Sequence, residues 1–407
     1  MESISPANAA GRILEACLRG EEWPREWAEA LARQALDPDE YLSLAASKAV
    51  FSGVVEALAD RFEPRLCDAY ARFFSLVLET AIPGLDAGEL ERRYREVRQV
   101  RPVTEEPSRV FVLSRVTLGA DVAVTSIVLD AARRRFPTAE IVLCGSEKAW
   151  ALFETDPRLK FLPLPYGRTA RLADRLGLWP RIRESVSAPG SLVLDPDSRL
   201  TQLGLLPVCD PERHHLFESR AYGGESGAGL PTLTGRWVAE TLGVDDAVPY
   251  LAPKIRASFG DQPYITVSLG VGENPAKRLP DPFEAELLRL LERSGRLVVV
   301  DLGAGGDESD RVRKAASDRT ATHEGSFASF AALIARSSLY VGYDSAGQHV
   351  AAAVGVPLIS IFRGSVCGRF FERWSPDGPG ERAVLRADGW SVERTLAAVE
   401  DRLAAIR

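Results

Sequence analysis

Several common signals are missing from this sequence. Its five cysteines are scattered and odd in number, and no two have the spacing of a zinc site. Two of its histidines, His214 and His215, are adjacent, which does not give metal-ligand geometry. No G-x-G-x-x-G motif follows a predicted strand, so a dinucleotide site is not indicated. We therefore expect a reduced compartment, no disulfide framework, no resident metal and no cofactor.

A basic surface and membrane signals are also missing. The net charge of −7 argues against nucleic acid as a partner. The N-terminus has no basic segment followed by an unbroken apolar core, so we do not expect a signal peptide. No apolar run appears long enough to cross a bilayer. These features predict a cytoplasmic protein without a transmembrane segment.

The length of 407 residues predicts two or three domains. Residues 1–100 carry apolar residues at helical spacing, with breaks at Gly, Pro or Asp. We expect a non-catalytic helical domain there, used for docking a protein partner or for self-association. The predicted helices are Ala9–Leu18, Trp23–Ala35, Pro38–Phe62, Leu66–Ala81 and Ala87–Val97.

From Arg101 onward, strands and helices alternate, which predicts parallel α/β structure. The stretch from Val244 to Pro263 is rich in Pro and Asp and is predicted to link two such regions. We expect one lobe over residues 101–250 and a second over residues 251–407, with a ligand in the cleft between them.

The clearest local pattern runs from Ser337 to Phe362. It predicts a buried strand, a short helix and a second buried strand. Asp344 and Ser345 fall at the start of the helix, and Gly347 and His349 in its first turn. A helix N-terminus at the carboxyl end of a parallel strand suits a phosphate. The alternative is an ordinary helix cap without a ligand.

The first α/β region carries two more candidate positions. Ser114 to Thr125 is predicted to be a glycine-containing loop, in which Asp121 either caps the next helix or acts as a base. The second position is the segment after the predicted strand 191–194. This segment either contacts hydroxyls and anions of a ligand or forms a capped turn. Its candidates are Asp195, Asp197, Ser198 and Arg199. The Gly- and Ser-rich stretch that follows His215 is predicted to be a mobile loop that covers a substrate.

Three segments together resemble one family. They are SRVTLGADVAVTSIVLDAARRRFP (114–137), SLGVGENPAKRLP (268–280) and VGYDSAGQHVAAAVGVPLISIF (341–362). The chain resembles the ADP-heptose:lipopolysaccharide heptosyltransferases of glycosyltransferase family 9, which have the GT-B fold. The resemblance implies two Rossmann-like lobes facing a cleft, here preceded by helices that are not part of the family core. It also implies a place in the cytoplasm or peripheral to the inner membrane.

The activity implied is an inverting, metal-independent transfer of a heptose-like sugar. The donor would be a nucleotide sugar such as ADP-heptose, and the acceptor a hydroxyl of a glycan, a lipid-linked glycan or a protein. By position, Asp121 would be the general base and Lys277 a donor-phosphate contact. Asp344 would contact the donor sugar and Glu308 the region of the ribose. The diphosphate would lie at Ser345, Gly347 and His349.

The chain departs from the family pattern at four places: Ala120 separates Gly119 from the aspartate, Ile127 replaces proline, Leu279 replaces tryptophan and Ser345 replaces threonine. These departures leave the sugar and the acceptor open. If Asp121 is only a cap, the base would be Asp195, Asp197 or Glu273. Two other functions stay open: a nucleotide-sugar epimerase or hydrolase, and a non-catalytic nucleotide-sugar-binding assembly protein.

Overall fold

The computed structural model describes residues 5–167, 169–254, 259–260, 262–272, 274–303 and 305–406. Glu273, a candidate base, lies outside the described residues. The eleven described strands form two parallel sheets, and a set of helices precedes the first strand. The prediction of an α/β protein with two lobes and a helical N-terminal region is confirmed.

Helices and strands alternate after the first six helices. The α-helices are α1 (Pro6–Arg19), α2 (Arg25–Ala35), α3 (Glu40–Lys48), α4 (Ala57–Ala59), α5 (Pro64–Ala81), α6 (Ala87–Val97), α7 (Leu118–Ala120), α8 (Ser126–Arg135), α9 (Glu147–Trp150), α10 (Leu172–Leu176), α11 (Trp179–Val186), α12 (Leu230–Leu242), α13 (Phe283–Glu292), α14 (Gly306–Ala315), α15 (Phe327–Ile334), α16 (Ala346–Ala353), α17 (Gly368–Trp374) and α18 (Val392–Ala405). The strands are β1 (Arg109–Leu113), β2 (Glu140–Gly145), β3 (Leu159–Pro163), β4 (Ser191–Asp195), β5 (His214–Leu216), β6 (Tyr264–Ser268), β7 (Leu297–Asp301), β8 (Thr320–His323), β9 (Leu339–Tyr343), β10 (Leu358–Phe362) and β11 (Arg382–Arg386).

Two of the helices are continued by π-helical turns. Ala49–Glu56 joins α3 to α4, so that one helix runs over Glu40–Ala59. By length and hydropathy alone this helix could cross a membrane, contrary to the expectation from the sequence. Its most apolar window is 56% buried within the fold, as a core helix of a globular protein would be. A second π-helical stretch, Asp121–Thr125, joins α7 to α8.

The helical region shares its hydrophobic core with the first lobe. The core of α1–α6 is continuous with leucines of that lobe, among them Leu172, Leu203 and Leu216. Ser47 of the helical region accepts a hydrogen bond from the Leu172 amide at 2.8 Å. Residues 5–100 therefore pack as a wall on the first lobe.

Each lobe is built on one sheet in which every described strand pair is parallel. The first lobe has the strand order β3-β2-β1-β4-β5, and the second β11-β10-β9-β6-β7-β8. The carboxyl ends of the central strands therefore meet at one edge of each sheet, where ligands bind in open α/β sheets. The strand–helix–strand unit predicted over 337–362 is confirmed as β9, α16 and β10.

Three features of the first lobe were not predicted from its sequence. His214 and His215 lie in β5, which pairs with β4, and both side chains are buried. Pairing with β4 makes this short segment a strand, and the His214 ring lies between Asp195, at 3.1 Å from Nε2, and Arg93, at 3.0 Å from Nδ1. The predicted loop 114–125 becomes helical at Leu118, so that Gly119 lies in a helix. Helix α11 was not predicted either, because its apolar stripe is short.

The Gly- and Ser-rich stretch after β5, predicted to be a mobile loop, is anchored to the second lobe. Arg373 of α17 is fully buried and donates hydrogen bonds to the carbonyls of Gly224, Ser226 and Ala228. A guanidinium buried in this way needs several acceptors, and this loop supplies them. The two lobes are therefore tied together at this point.

Phe62 connects the helical region to the second lobe. Its side chain is fully buried, and its ring centroid lies 6.4 Å from that of Phe370 and 6.5 Å from that of Trp374. Its backbone φ of 55° is left-handed, which is uncommon for an aromatic residue. The surrounding packing holds the ring in place despite this backbone cost.

We predict that Phe62→Ala lowers the free energy of unfolding by about 3–5 kcal/mol, because it empties a fully buried aromatic site. Chemical denaturation followed by fluorescence would measure the loss. Tyr41→Ala is the control, since Tyr41 is 81% exposed. A loss for Phe62→Ala no greater than that of the control would contradict the packing described here.

Candidate active site

A cavity of about 690 Å³ lies between the two lobes. It is lined by the helical region as well as by both lobes. The helical region contributes Ser52, Glu56 and Asp60; the first lobe contributes residues 115–120, Lys148, Asp197, Arg199 and Arg220; and the second contributes Val271, Gly272, Asn274, Lys277, Asp344, Ser345, Ala346, His349, Phe370 and Trp374.

Lys277 and Asp344 face each other at the carboxyl end of β9. Lys277 Nζ donates hydrogen bonds to Asp344 Oδ2 at 2.7 Å and to the Asp344 carbonyl at 3.1 Å. Gln348 Nε2 donates to the other carboxylate oxygen at 2.7 Å. The two residues predicted to contact the donor are thus brought together at the start of α16, and the ammonium group of Lys277 is fixed at the cavity wall.

The first turn of α16 is open toward a ligand. Ser345 is its N-cap residue but makes no side-chain hydrogen bond to the turn, so no side chain caps the first amides. Its hydroxyl lies 3.3 Å from that of Tyr340. A Cβ at Gly347 would approach that tyrosine hydroxyl to 2.5 Å, so only glycine fits there. Gly347 supports the turn from behind and does not line the cavity.

His349 lines the cavity one turn into α16. Its Nδ1 atom is buried and has no hydrogen-bond partner among the described residues. Burial lowers the pKa of His349 to about 4, so the ring is neutral at pH 7. The ring packs against the first lobe, since a Cβ at Gly119 would lie 3.3 Å from His349 Cδ2 and 3.2 Å from Ala346 Cα. Gly119 thus allows the two lobes to approach closely.

Glu308, predicted to lie near a ribose, sits between the ends of β6 and β7. A Cβ at Gly270 would lie 2.8 Å from Glu308 Oε1, and one at Gly303 would lie 2.7 Å from Oε2. The two glycines make room for this carboxylate at the carboxyl edge of the sheet. Glu308 does not line the cavity itself, and its role stays a prediction.

Asp121, the predicted base, is buried behind the cavity wall. Its Oδ1 atom accepts hydrogen bonds from the Arg115 amide and the Thr125 hydroxyl, both at 2.8 Å, and Oδ2 accepts one from Ser114 at 2.9 Å. Burial raises the pKa of Asp121 to about 6, although these bonds oppose the shift. It holds the β1–α7 turn in place and is not among the cavity-lining residues. Its catalytic role stays a prediction.

Asp195 and Ser198 also point away from the cavity. Asp195 accepts hydrogen bonds from the Ser198 amide at 2.7 Å, from the Thr201 hydroxyl and from His214 Nε2 at 3.1 Å. The Ser198 hydroxyl donates to the Ser114 carbonyl. Both residues therefore shape the turn after β4, which corresponds to the capped-turn alternative.

Asp197 and Arg199, from the same turn, do line the cavity. Asp197 Oδ2 accepts hydrogen bonds from Ser219 at 2.6 Å and from Arg220, and Oδ1 has no partner among the described residues. Arg199 pairs with Glu56 of the helical region at 2.7 Å. Asp195 and Asp197 thus have different sets of partners. Among the described residues, no group of three or more His, Cys, Asp or Glu could hold a metal ion.

Sequence reasoning missed the contributions of the helical region and of two arginines. Arg115 is buried, and burial lowers its pKa to about 10. It donates to Ser219 at 2.9 Å and lies over the Trp374 ring at 5.8 Å. Arg220 belongs to the stretch predicted to be a mobile loop. Arg115 follows a predicted strand directly after Ser114, whereas the sequence placed Arg220 only within a predicted loop.

The sequence of the second lobe matches a known family model. Residues 244–377 match glycosyltransferase family 9 (heptosyltransferase). This part of the chain is therefore similar to that family. No curated protein matches the chain in sequence.

Two solved structures share the fold of the whole two-lobed body. The E. coli heptosyltransferase WaaC with ADP-2-deoxy-2-fluoro heptose is 16% identical, with a TM-score of 0.53, over 73% of this chain and 99% of that one. A glycosyltransferase family 9 protein from Veillonella parvula is 18% identical, with a TM-score of 0.51, over 76% of this chain and 99% of that one.

These findings confirm the resemblance inferred from the three segments. The fold is GT-B-like, and residues 244–377 are similar in sequence to glycosyltransferase family 9. The family match includes the segment of Lys277 and that of Asp344 and His349, whereas the segment of Asp121 lies outside it. The second lobe is thus similar to the family in both sequence and fold, and the first lobe in fold alone.

We predict that His349 makes stability depend on pH. Because its pKa in the folded protein lies below the ordinary value, the unfolded chain binds the proton more tightly, and stability falls as the pH drops. From about pH 7.5 to about pH 4.5 this residue would account for a loss of up to about 2–3 kcal/mol. Denaturation of the wild type and His349→Gln at both pH values should show a smaller loss in the variant, and equal losses would contradict the prediction.

Proposed function

We propose that this protein transfers a heptose-like sugar, with inversion, from a nucleotide-diphosphate donor such as ADP-heptose to an acceptor hydroxyl. The observation that carries the proposal is the uncapped start of α16 beside Lys277, inside the part of the chain that is similar to family 9 and facing the cleft. The structural neighbour WaaC was solved with a nucleotide sugar of this kind, which supports the donor class.

The chemistry follows from the charges at the cleft. As the bond from the anomeric carbon to the phosphate oxygen breaks, the departing nucleoside diphosphate gains negative charge. The amides at the start of α16 and the ammonium of Lys277 stabilise that charge. Inversion by direct displacement requires a carboxylate on the acceptor side to take the proton of the attacking hydroxyl.

The remaining parts of the proposal rest on general chemistry. Lys277 and the helix amides supply the counter-charge that a metal would otherwise provide, so the transfer is proposed to be metal-independent. The acceptor is a hydroxyl of a glycan, a lipid-linked glycan or a protein, and the protein works in the cytoplasm or at the inner face of the membrane.

We predict that Lys277→Ala weakens the binding of ADP-heptose by roughly ten- to a hundredfold, since it removes a charge-assisted contact to the diphosphate. A thermal-shift screen of nucleotide sugars would identify the best donor, and calorimetric titration would give the two dissociation constants.

Lys254→Ala is the matched control, because Lys254 is an exposed lysine that pairs with Glu154 at the surface. It should bind the donor like the wild type. If no nucleotide sugar raises the melting temperature, or if both lysine variants bind equally well, the proposed donor site is wrong.

We also predict that the release of ADP from ADP-heptose continues unchanged after treatment with a chelator. The measurement is a coupled assay of ADP with and without EDTA, followed by addition of Mg²⁺ or Mn²⁺. Loss of activity that either cation restores would contradict metal independence and would direct attention to Asp195 and Asp197.

A further inference from the structure

The helical region presents three accessible polar side chains to the cleft: Ser52, Glu56 and Asp60, which we call the helical wall. All three line the cavity between the lobes. Ser52 is exposed, and the side chains of Glu56 and Asp60 are 20% and 30% exposed. The Ser52 hydroxyl donates a hydrogen bond to Glu56 at 3.2 Å. A ligand in the cleft can therefore reach this wall.

The conformation of the chain holds the helical wall in place. Ser52 and Glu56 belong to the π-helical stretch Ala49–Glu56. The π-helical conformation is rare and is frequent at functional sites. The same stretch buries Val50 and Val54 in the core that the helical region shares with the first lobe. Its apolar side chains thus anchor it, while its polar side chains face the cleft.

The helical wall is joined to the first lobe and carries negative charge. Glu56 pairs with Arg199 at 2.7 Å, and Asp60 lies 3.9 Å from Arg220. The donor site proposed above lies on the second lobe, at Lys277 and the start of α16. Two carboxylates would repel the diphosphate of a donor. The wall is therefore suited to the acceptor and not to the donor.

The cations beside the wall already have partners. Among the described residues that line the cavity, Arg115 and Arg220 pair with Asp197, and Arg199 pairs with the wall. Lys148, which is exposed, is the remaining cation of the first lobe there. A phosphate group is bound best by cations that no carboxylate neutralises. The hydroxyls of a neutral sugar, in contrast, can donate to a carboxylate and accept from its guanidinium partner.

An aromatic ring lies across the cleft from the wall. Trp374 of the second lobe lines the cavity and is partly exposed. Its ring centroid lies 5.9 Å from that of His349 and 5.8 Å from the guanidinium carbon of Arg115. The ring is thus placed between the start of α16 and the first lobe. Ligand pockets combine such apolar faces with a few polar groups, and a sugar ring offers both C–H faces and hydroxyls.

We propose that Glu56 and Arg199, with Ser52 and Asp60 beside them, bind the acceptor of the transfer and that this acceptor is a neutral sugar. The proposal rests on the glycosyltransferase function proposed above. Hydroxyls of the sugar donate to Glu56 and Asp60 and accept from Arg199, while its ring packs on Trp374. The helical region, which is not part of the family core, thereby selects the acceptor without contacting the donor.

The first test compares two classes of acceptor. Transfer from ADP-heptose is measured to the methyl glycosides of glucose, galactose, mannose and heptose and to a phosphate ester of each, with mass spectrometry of the products. The wild type should use at least one neutral glycoside and prefer it to its phosphorylated counterpart. Equal use of the two, or preference for the phosphorylated one, would overturn the proposed acceptor class.

The second test uses Glu56→Gln, which removes the charge and keeps the shape of the side chain. Its KM for the neutral glycoside should rise about ten- to a hundredfold, since a hydrogen bond to a charged group is lost, while its Kd for ADP-heptose stays unchanged. Because Arg199 then lacks its carboxylate partner, the phosphorylated glycoside should bind more tightly than to the wild type. A loosened wall would weaken both acceptors alike, so effects of opposite sign separate binding from a structural role.

Glu22→Gln is the matched control. Glu22 is also a carboxylate of the helical region and pairs with an arginine, Arg72, at 2.6 Å, but it does not line the cavity. This variant should have the wild-type constants for the donor and for both acceptors.

The proposal is overturned if Glu56→Gln keeps the wild-type KM for the neutral glycoside or weakens both acceptors equally. It is also overturned if the wild type binds ADP-heptose and transfers to none of the neutral glycosides. Failure of the wild type to bind any nucleotide sugar would instead refute the proposed function.

Discussion

The contact between the start of α16 and helix α7 sets the distance between the two lobes. Gly119 has no side chain, and Ala346 and His349 take up the space that a Cβ would need. Because of this contact, the uncapped turn of α16 and the turn after β1 lie on opposite sides of one narrow cleft. A larger residue at Gly119 would push the lobes apart and widen the cleft between these two turns.

The helical region adds a third side to this cleft. It shares its core with the first lobe and reaches the second through Phe62. Its carboxylates pair with arginines of the first lobe, so that charges which would otherwise be buried alone are matched. The side of the cleft facing the second lobe is thus made by two parts of the chain that are distant in sequence.

Much of the fold could be predicted because it is encoded locally. The apolar run of β9, the polar start of α16 and the glycine after it lie within one segment, and the structure places them as expected. Lys277 could be found because its segment resembles a known family. In each case the residues that define the local structure or the site are close in sequence or lie in a segment that resembles a known family.

The side of the cleft made by the helical region and the first lobe could not be predicted in the same way. The spacing of apolar residues tells which face of a helix is buried, but not what its polar face meets, and so Glu56 and Asp60 went unnoticed. The same limit applies to Asp121 and Asp197: both follow strands, and only hydrogen bonds to distant residues such as Ser219 and Arg220 distinguish them.

The buried guanidinium of Arg373 has a consequence for how the cleft can move. Its hydrogen bonds to three carbonyls of the loop after β5 would all be lost if the lobes separated there, and hydrogen bonds from a charged group contribute roughly 1.5–3 kcal/mol each. Substrate exchange is therefore expected to occur by rotation of the lobes about this point, which serves as a pivot. Arg220, four residues before the nearest of those carbonyls, would stay close to the axis, so that Asp197 keeps its partner while the far end of the cleft opens.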